Sequence, residues 1–198
     1  MIFAWELFWI VVVLVVFFGI LPLATDLFGA PWAPTSRGIV REMLSMADIK
    51  PDEVVYDLGS GDGRIILTAA RKFHAKSVGI DINPLWVFWA RLAVTVLGLR
   101  HRTRVVWGNF FVQDLSRADV VTLYLVQATN DKLKSKLEEE LRPGARVVSH
   151  VFPFNGWSPL KVDAKSHVYM YKMGESENHN PAREAQVDND LNSRSSMK

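Results

Sequence analysis

The chain has 198 residues, enough for one domain with short additions, and a formal net charge of +2. So small a charge argues against a polybasic nucleic-acid surface, and no nucleic-acid partner is expected. Cysteine is absent from the sequence, which excludes disulfide bonds, cysteine metal sites and a thiolate nucleophile.

The N-terminal segment is apolar and differs in composition from the rest of the chain. No charged residue occurs from Leu7 to Thr25, and a helix of this length just crosses a hydrocarbon core of about 30 Å. Tryptophans flank the run, as interfacial anchors do: Trp5, Trp9 and Trp32. A cleaved signal peptide and a buried core helix are the alternatives, but only Glu6 precedes the run, so a basic leader is missing. We predict a single-pass transmembrane helix within an anchor of residues 1–29, with residues 7–25 in the bilayer.

The charges on either side of this run predict its orientation. Arg37, Arg41 and Lys50 follow it, whereas Glu6 precedes it. The excess of positive charge after the run places the C-terminal domain on the cytoplasmic side, or in an equivalent compartment.

A connector and a helix are predicted for residues 30–50. The prolines of Pro31-Trp32-Ala33-Pro34 oppose helix formation. Thr35 or Ser36 is then suited to cap a helix that continues to about Ala47. The sequence leaves open whether this helix covers a ligand pocket or only packs on a sheet.

A glycine-rich loop between a predicted strand and a predicted helix is the most informative motif. The apolar run Val54-Val55-Tyr56 precedes Asp57-Leu58-Gly59-Ser60-Gly61-Asp62-Gly63, and a helix follows from Arg64. Dinucleotide-binding folds use G-x-G-x-x-G, whereas here the glycines occupy alternate positions after an acidic residue. That pattern favours a cationic ligand over a pyrophosphate. The candidate ligand-binding residues of this loop are Asp57, Gly59, Ser60, Gly61 and Gly63.

This loop resembles motif I of class I S-adenosylmethionine methyltransferases, in which the methionine part of the ligand lies along the loop. A second strand, Val78-Gly79-Ile80-Asp81, ends in a carboxylate of the kind that binds ribose hydroxyls in such folds. Ile82 and Asn83 follow it as further candidate cofactor-binding residues. The resemblance implies a Rossmann-like α/β fold over residues 51–173, with a mostly parallel seven-stranded sheet, helices on both faces, and S-adenosylmethionine as cofactor.

The middle of the chain continues the alternation of helix and strand. An apolar helix is predicted from Leu85 to Leu97, and a basic cluster follows it: Arg100, His101, Arg102 and Arg104. This cluster is either a solvated loop or a contact with anionic headgroups. The third strand, 105–107, leads to Asn109 and Phe110, which are expected to accept from the adenine amine and to flank its ring.

The fourth and fifth strands, 118–126 and 145–152, are expected to end at the methyl-acceptor side. Enzymes that methylate base amines often carry Asn/Asp-Pro-Pro-Tyr/Phe there, and this chain has Leu123-Tyr124-Leu125-Val126 instead. Tyr124 is the candidate catalytic residue, since it could orient an amine or hold a cation; a core tyrosine is the equal alternative. His150 is a candidate general base, with a structural histidine as the alternative.

The end of the chain completes the predicted sheet. An amphipathic helix is expected from about Asn130 to Leu141. An antiparallel pair of strands is predicted at 160–162 and 167–172, and a disordered polar tail at 174–198.

Short motifs extend the resemblance beyond the glycine loop. Ala30-Pro31-Trp32-Ala33-Pro34-Thr35, Asp81-Ile82-Asn83-Pro84, Phe152-Pro153 and Trp157-Ser158-Pro159 occur in this order. The chain thereby resembles the small lysine methyltransferase family that includes the ATP-synthase c-subunit and adenine nucleotide translocase lysine methyltransferases and an archaeal broad-specificity enzyme. The resemblance implies methylation of protein lysine ε-amines by direct in-line displacement, without a metal. It adds Thr35 to the candidate cofactor-binding residues.

Three functions remain open on the sequence. The first is a membrane-anchored protein lysine methyltransferase whose substrates could be membrane proteins. The second is a methyltransferase of a lipid-soluble small molecule, such as a quinone precursor. The third is a non-catalytic scaffold, against which the intact glycine loop and Asp81 argue.

Overall fold

The computed structural model describes residues 2–15 and 34–176. The chain divides into two units, Met1–Pro34 and Thr35–Lys198. In the first unit, Ile2–Val15 forms helix α1. None of the helices in the described ranges combines the length and hydropathy that a membrane crossing requires. Residues 16–25 of the predicted transmembrane helix, the end of the predicted anchor at residue 29 and nearly all of the predicted tail lie outside the described residues.

Seven strands in the described part of the second unit form one sheet, in the order β3-β2-β1-β4-β5-β7-β6. Their bounds are β1 Val54–Leu58, β2 Lys76–Asp81, β3 Thr103–Trp107, β4 Val120–Leu123, β5 Arg146–His150, β6 Lys161–Asp163 and β7 Val168–Lys172. β1 to β5 are parallel to one another, and β7 is antiparallel to both β5 and β6. The predicted mostly parallel seven-stranded sheet is therefore confirmed. The strand order reverses between β1 and β4, the point where open α/β sheets bind ligands.

Four helices of the second unit's described residues pack on the two faces of this sheet: α2 Arg37–Met46, α3 Arg64–Lys72, α4 Pro84–Val96 and α5 Gln127–Glu140. Adjacent strand residues point to opposite faces. Val120 of β4 accordingly lies in the cluster with α2 and α3, whereas Val121 lies in the cluster with α5. α4 packs beside α3 through Val87, Ala90 and Val94. The sheet is thus enclosed from both sides, with α4 and α5 on opposite faces.

Helix α2 packs on the sheet, which is one of the two roles left open by its sequence. The Ser36 hydroxyl accepts a hydrogen bond from the Ile39 N–H at 3.3 Å and caps the first turn. Val40, Met43 and Leu44 form its fully buried face. Their spacing of three and four residues places them on one side of the helix.

Several predicted element boundaries differ from those observed. β4 ends at Leu123 rather than at residue 126, and α5 begins at Gln127 rather than near Asn130. The apolar residues between them leave the strand, yet Leu125 remains buried in the core, so the hydropathy pattern did not reveal the turn. β5 ends at His150 because Val151 takes a positive φ of 69°.

Candidate functional site

The glycine loop lies at the carboxyl end of β1 and is fixed to β2 by its own backbone. Gly59, Gly61 and Gly63 have φ of 78°, 51° and 80°, a region that glycine enters without steric cost. The N–H groups of Gly59 and Ser60 donate to the Ile80 carbonyl at 2.9 and 3.0 Å. The Gly61 N–H donates to the Asp81 carboxylate at 2.7 Å. Three amides that could hold a pyrophosphate are therefore already used inside the protein.

Two glycines permit close packing beneath this loop. A Cβ on Gly63 would lie 3.1 Å from the Cβ of Ala90, so Gly63 lets α4 approach the start of α3. A Cβ on Gly79 would lie 2.7 Å from the Ser60 hydroxyl. The Ser60 side chain is buried against β2, and among the described residues its hydroxyl has no hydrogen-bond partner.

Asp57 is a buried carboxyl group below the loop. The Thr122 hydroxyl of β4 donates to it at 2.8 Å. Burial raises the pKa of Asp57 to about 7; the Thr122 hydrogen bond opposes that shift, and the charges of Asp81 and Asp62 add to it. Three carboxyl groups therefore surround the glycine loop, and they create a potential that favours a cation.

Asp81 ends β2 and organises the next loop. Its carboxylate also accepts from the Asn83 N–H at 2.8 Å. Burial raises the pKa of Asp81, and the backbone hydrogen bonds from Asn83, Gly61 and Ile82 act in the opposite direction. Asn83 caps α4 by accepting from the Leu85 N–H at 2.9 Å. The Ile82 side chain is 68% exposed. An apolar surface is therefore accessible to a ligand next to the Asp81 carboxylate.

The end of β3 joins this edge of the sheet. The Gly108 N–H donates to the Asp81 carbonyl at 2.9 Å. The Asn109 side-chain oxygen accepts from the Phe111 N–H at 2.9 Å and caps the short 3₁₀ helix Phe110–Val112. The oxygen expected to accept from the adenine amine therefore already has a backbone partner. Phe110 packs against Phe111 with ring centroids 4.8 Å apart.

An arginine connects the predicted Thr35 to the glycine loop. The Arg64 guanidinium donates to the Thr35 carbonyl at 2.7 Å and pairs with the Asp62 carboxylate at 2.7 Å. Thr35 is buried as a result. Sequence reasoning did not assign Arg64 a role, although its position directly after Gly63 was a usable signal.

Tyr124 and His150 come together at the ends of β4 and β5. Their ring centroids are 4.4 Å apart, at an interplanar angle of 58°. The His150 Nδ1 is buried and has no hydrogen-bond partner among the described residues. Burial lowers the pKa of His150, as does the charge of His167, while a backbone hydrogen bond with Ser166 raises it. His150 is consequently neutral near pH 7 and can accept a proton.

The backbone after His150 is strained. Val151 has a φ of 69°, and the Phe152 N–H donates to the His150 carbonyl at 2.9 Å, which closes a tight turn. A β-branched residue rarely adopts this conformation. Strain of this kind concentrates at functional sites, and here it directly follows the histidine that faces Tyr124.

The Phe-Pro and Trp-Ser-Pro motifs form a loop fixed on α5. Side chains of α5 donate to its backbone carbonyls: Gln127 to Pro153, Asn130 to Phe152 and Lys134 to Asn155. The Trp157 indole donates to the Glu138 carboxylate at 2.8 Å. Helix α5 therefore holds this loop in place, a role for α5 that the sequence did not reveal.

These features together test the fit of a ligand. The loop amides are engaged, three carboxyl groups surround the loop, and an exposed apolar side chain stands beside Asp81. A ligand with a cationic amino acid end and an adenosine end suits such a site, and a dinucleotide does not. Among the described residues, no group of acidic or histidine side chains could hold a metal ion. The strand order and the site define an S-adenosylmethionine-dependent methyltransferase.

The family follows from comparison with known proteins. A family model described as the ANTKMT methyltransferase domain matches residues 57–161, and the chain belongs to this family. The chain is 45% identical over 152 residues to a protein-lysine N-methyltransferase of Saccharolobus islandicus, a match that covers 73% of this chain and 94% of the relative.

More distant and structural relatives agree on the enzyme class. The lysine N-methyltransferase of the ATP-synthase c-subunit in Xenopus laevis is 32% identical over 146 residues, which cover 73% of this chain and 64% of the relative. The chain therefore spans less than two thirds of that animal enzyme. A crystal structure of an RNA methyltransferase from Salinibacter ruber, in complex with S-adenosyl-L-homocysteine, is 41% identical with a TM-score of 0.71. That match covers 75% of this chain and 98% of the other.

Proposed function

We propose that this chain is a membrane-anchored enzyme that methylates lysine ε-amines of membrane or membrane-adjacent proteins. The observation that carries the proposal is the 45% identity to a protein-lysine N-methyltransferase across 94% of that relative. A separate match, to the family model, extends over residues 57–161 and so includes the glycine loop, Asp81, Tyr124 and His150.

The cofactor would be held along the carboxyl edge of the sheet. When bound, S-adenosylmethionine supplies a methyl group on a sulfonium, activated for in-line displacement. Asp81 would accept from the ribose hydroxyls, with Ile82 against the adenine and the loop of Gly59, Gly61 and Gly63 along the methionine part. Asp57 would balance the positive charge there. Asn83, Phe110 and Asn109 would support this site from the two neighbouring loops, and Thr35 would close its other end.

The acceptor lysine must lose a proton, because an ammonium group has no lone pair. An apolar, partly dry site lowers the pKa of that lysine. Tyr124 would orient the amine through its hydroxyl and ring, and the neutral His150 beside it would accept the proton. Most of the rate enhancement would come from holding the amine in line with the methyl group and excluding water.

The membrane part of the proposal rests on the composition of the first unit. In α1, the large apolar side chains are exposed to solvent: Trp5, Leu7, Phe8, Trp9, Ile10, Val11 and Val13. An exposed apolar surface of this extent marks a membrane or protein contact. We infer that residues 7–25 enter the bilayer, and that the basic residues after them keep the catalytic unit on the cytoplasmic side.

Two other methyl acceptors, RNA and a lipid-soluble small molecule, are alternatives to protein lysine. The Salinibacter RNA methyltransferase, which is 41% identical, favours RNA as a second candidate. The lack of the Asn/Asp-Pro-Pro-Tyr/Phe motif at Tyr124 argues against base amines. A lipid-soluble small molecule would also suit an anchored enzyme.

The test uses the full chain in lipid nanodiscs with methyl-labelled S-adenosylmethionine and a lysate of its own host. Protein, RNA and lipid fractions are separated and counted, and labelled proteins are mapped by mass spectrometry. We expect label on lysines of proteins. Label confined to RNA or to the organic phase would refute the lysine proposal.

A matched variant controls this experiment. Asp81→Asn retains the shape of the ribose site and removes its charge. Binding of S-adenosylmethionine and transfer of the methyl label should therefore both decrease. Labelling that persists in Asp81→Asn would indicate a contaminating methyltransferase.

A further inference from the structure

Helix α4 carries an apolar stripe on the side that faces away from the sheet. Phe88, Leu92 and Val96 are 52%, 42% and 74% exposed and recur at every fourth residue. This spacing aligns them along one side of a helix. The opposite side already fills the core with Val87, Ala90 and Val94. Helix α4 is therefore apolar on both faces, which is unusual for a helix on the surface of an α/β domain.

Positive charge borders this stripe. From Ile82 to Gln113 the sequence contains no aspartate or glutamate, but it contains four arginines: Arg91, Arg100, Arg102 and Arg104. Arg102 is paired with Asp52, whereas Arg91 and Arg100 are exposed. The Arg100 guanidinium donates to the Thr95 hydroxyl at 3.0 Å. Its charge is thus held beside Val96, at the C-terminal end of the stripe.

We propose that the stripe of Phe88, Leu92 and Val96, with Arg91 and Arg100, docks the catalytic unit onto the surface of an anionic bilayer. A helix with an apolar face and a basic border lies in the interface of such a membrane. Basic side chains gain from the negative surface potential at the headgroups. Charge complementarity selects a lipid surface over a second copy of this chain, since two copies would oppose the same arginines.

This contact goes beyond an N-terminal anchor, because it is made by the catalytic unit itself. α4 begins directly after Asn83, next to the candidate ribose site. Docking through α4 would hold that site close to the membrane surface. Lysines on short loops of membrane proteins would then lie within its reach.

Site-specific labelling can test the contact, because the chain has no cysteine of its own. The full chain carrying Val96→Cys is labelled with an environment-sensitive fluorophore, and Ser135→Cys provides the matched control. Ser135 is exposed on α5, on the opposite face of the sheet. Both proteins are placed in phosphatidylcholine vesicles with and without phosphatidylglycerol, together with a nitroxide-labelled lipid that quenches the probe.

We expect quenching at position 96 only in the anionic vesicles, and its loss at high salt. The probe at position 135 should remain unquenched throughout. Arg91→Gln and Arg100→Gln should each lower the equilibrium constant for docking about fivefold. The exposed Lys132→Gln and Lys165→Gln serve as charge-matched controls and should leave it unchanged.

Any of three results would overturn the proposal. One is equal quenching at both positions. Another is a probe at position 96 that is shielded without vesicles at every protein concentration, which would mean that the chain covers its own stripe. The third is shielding that rises with protein concentration, which would indicate a second copy. None of them bears on lysine methylation, so failure here leaves the proposed function untouched.

Discussion

Asp57 is a single carboxyl group whose protonation should influence folding. Its pKa is about 7 in the folded protein and 3.8 as an ordinary aspartate. The folded state therefore holds the proton more tightly than the unfolded state. The contribution of Asp57 to stability is complete below pH 3.8 and falls as the pH rises toward 7.

Asp57→Asn should remove this pH dependence. We expect the free energy of unfolding of the unmodified chain to fall by on the order of 1 kcal/mol per pH unit across this window. The asparagine variant should give a flatter profile in urea titrations from acid to neutral pH. Parallel profiles for the two proteins would show that Asp57 does not titrate as the structure indicates.

The same carboxyl group should link cofactor binding to pH. A cationic ligand near Asp57 favours its ionised form, so binding below pH 7 must release a proton. The Kd for S-adenosylmethionine should weaken by about tenfold for each pH unit below the pKa of Asp57. Calorimetry in two buffers of different ionisation enthalpy measures the proton directly. Asp57→Asn should release none, and equal release from both proteins would contradict the assignment.

Tyr124 and His150 should affect catalysis without affecting cofactor binding. Tyr124→Phe keeps the ring against His150 and removes only the hydroxyl, while His150→Gln removes the proton acceptor. Loss of a proton acceptor typically costs about 10²-fold or more in rate. We expect kcat to fall in both variants at unchanged Kd for S-adenosylmethionine. His150→Gln alone should also lose the acidic limb of the pH–rate profile. An unaltered profile would assign His150 a purely structural role.

At the scale of elements, the lack of a Cβ on Gly79 allows the glycine loop to pack closely on β2. A Cβ there would lie 2.7 Å from both the Ser60 hydroxyl and the Ile66 side chain. Gly79→Ala should therefore destabilise the protein by about 1–3 kcal/mol, as overpacking does. Gly38→Ala is the control, because its Cβ in α2 would have only the Ser36 hydroxyl nearby, at 3.8 Å. It should instead stabilise by roughly 0.5–1 kcal/mol. Thermal unfolding of both variants measures the difference, and equal shifts would contradict the packing argument.

Elements defined by local patterns were predictable from the sequence, whereas contacts distant in sequence were not. The run of apolar strand, glycine loop and helix predicted β1 and α3, because hydropathy period and glycine position are local signals. The approach of α4 to Gly63 depends on a residue 27 positions away, Ala90. The pairing of Tyr124 with His150 depends on the order of β4 and β5 and on the positive φ of Val151. Hydropathy carries no information on either.

At the scale of the whole molecule, the chain joins a short apolar unit to a unit that contains the candidate site residues described above. The Saccharolobus relative is matched over 94% of its length by only 73% of this chain. A methyltransferase of this family can therefore be built largely from the matched part. On our proposal, the first unit, Met1–Pro34, contributes the membrane anchor rather than cofactor binding.

Removal of residues 1–33 should reduce methylation of substrates in the membrane without changing cofactor binding or the methyl-transfer reaction itself. The Kd for S-adenosylmethionine should stay within about twofold, because the described site residues all belong to the second unit. Anchoring raises the effective concentration of enzyme toward substrates in the same bilayer, an effect that can reach 10²–10⁴-fold. Methylation of a membrane protein in vesicles should therefore fall by about this factor, whereas methylation of a soluble lysine peptide should not change. Equal losses on both substrates would show instead that the first unit supports the fold of the second. Unchanged activity on both would exclude the anchor as a determinant of substrate choice.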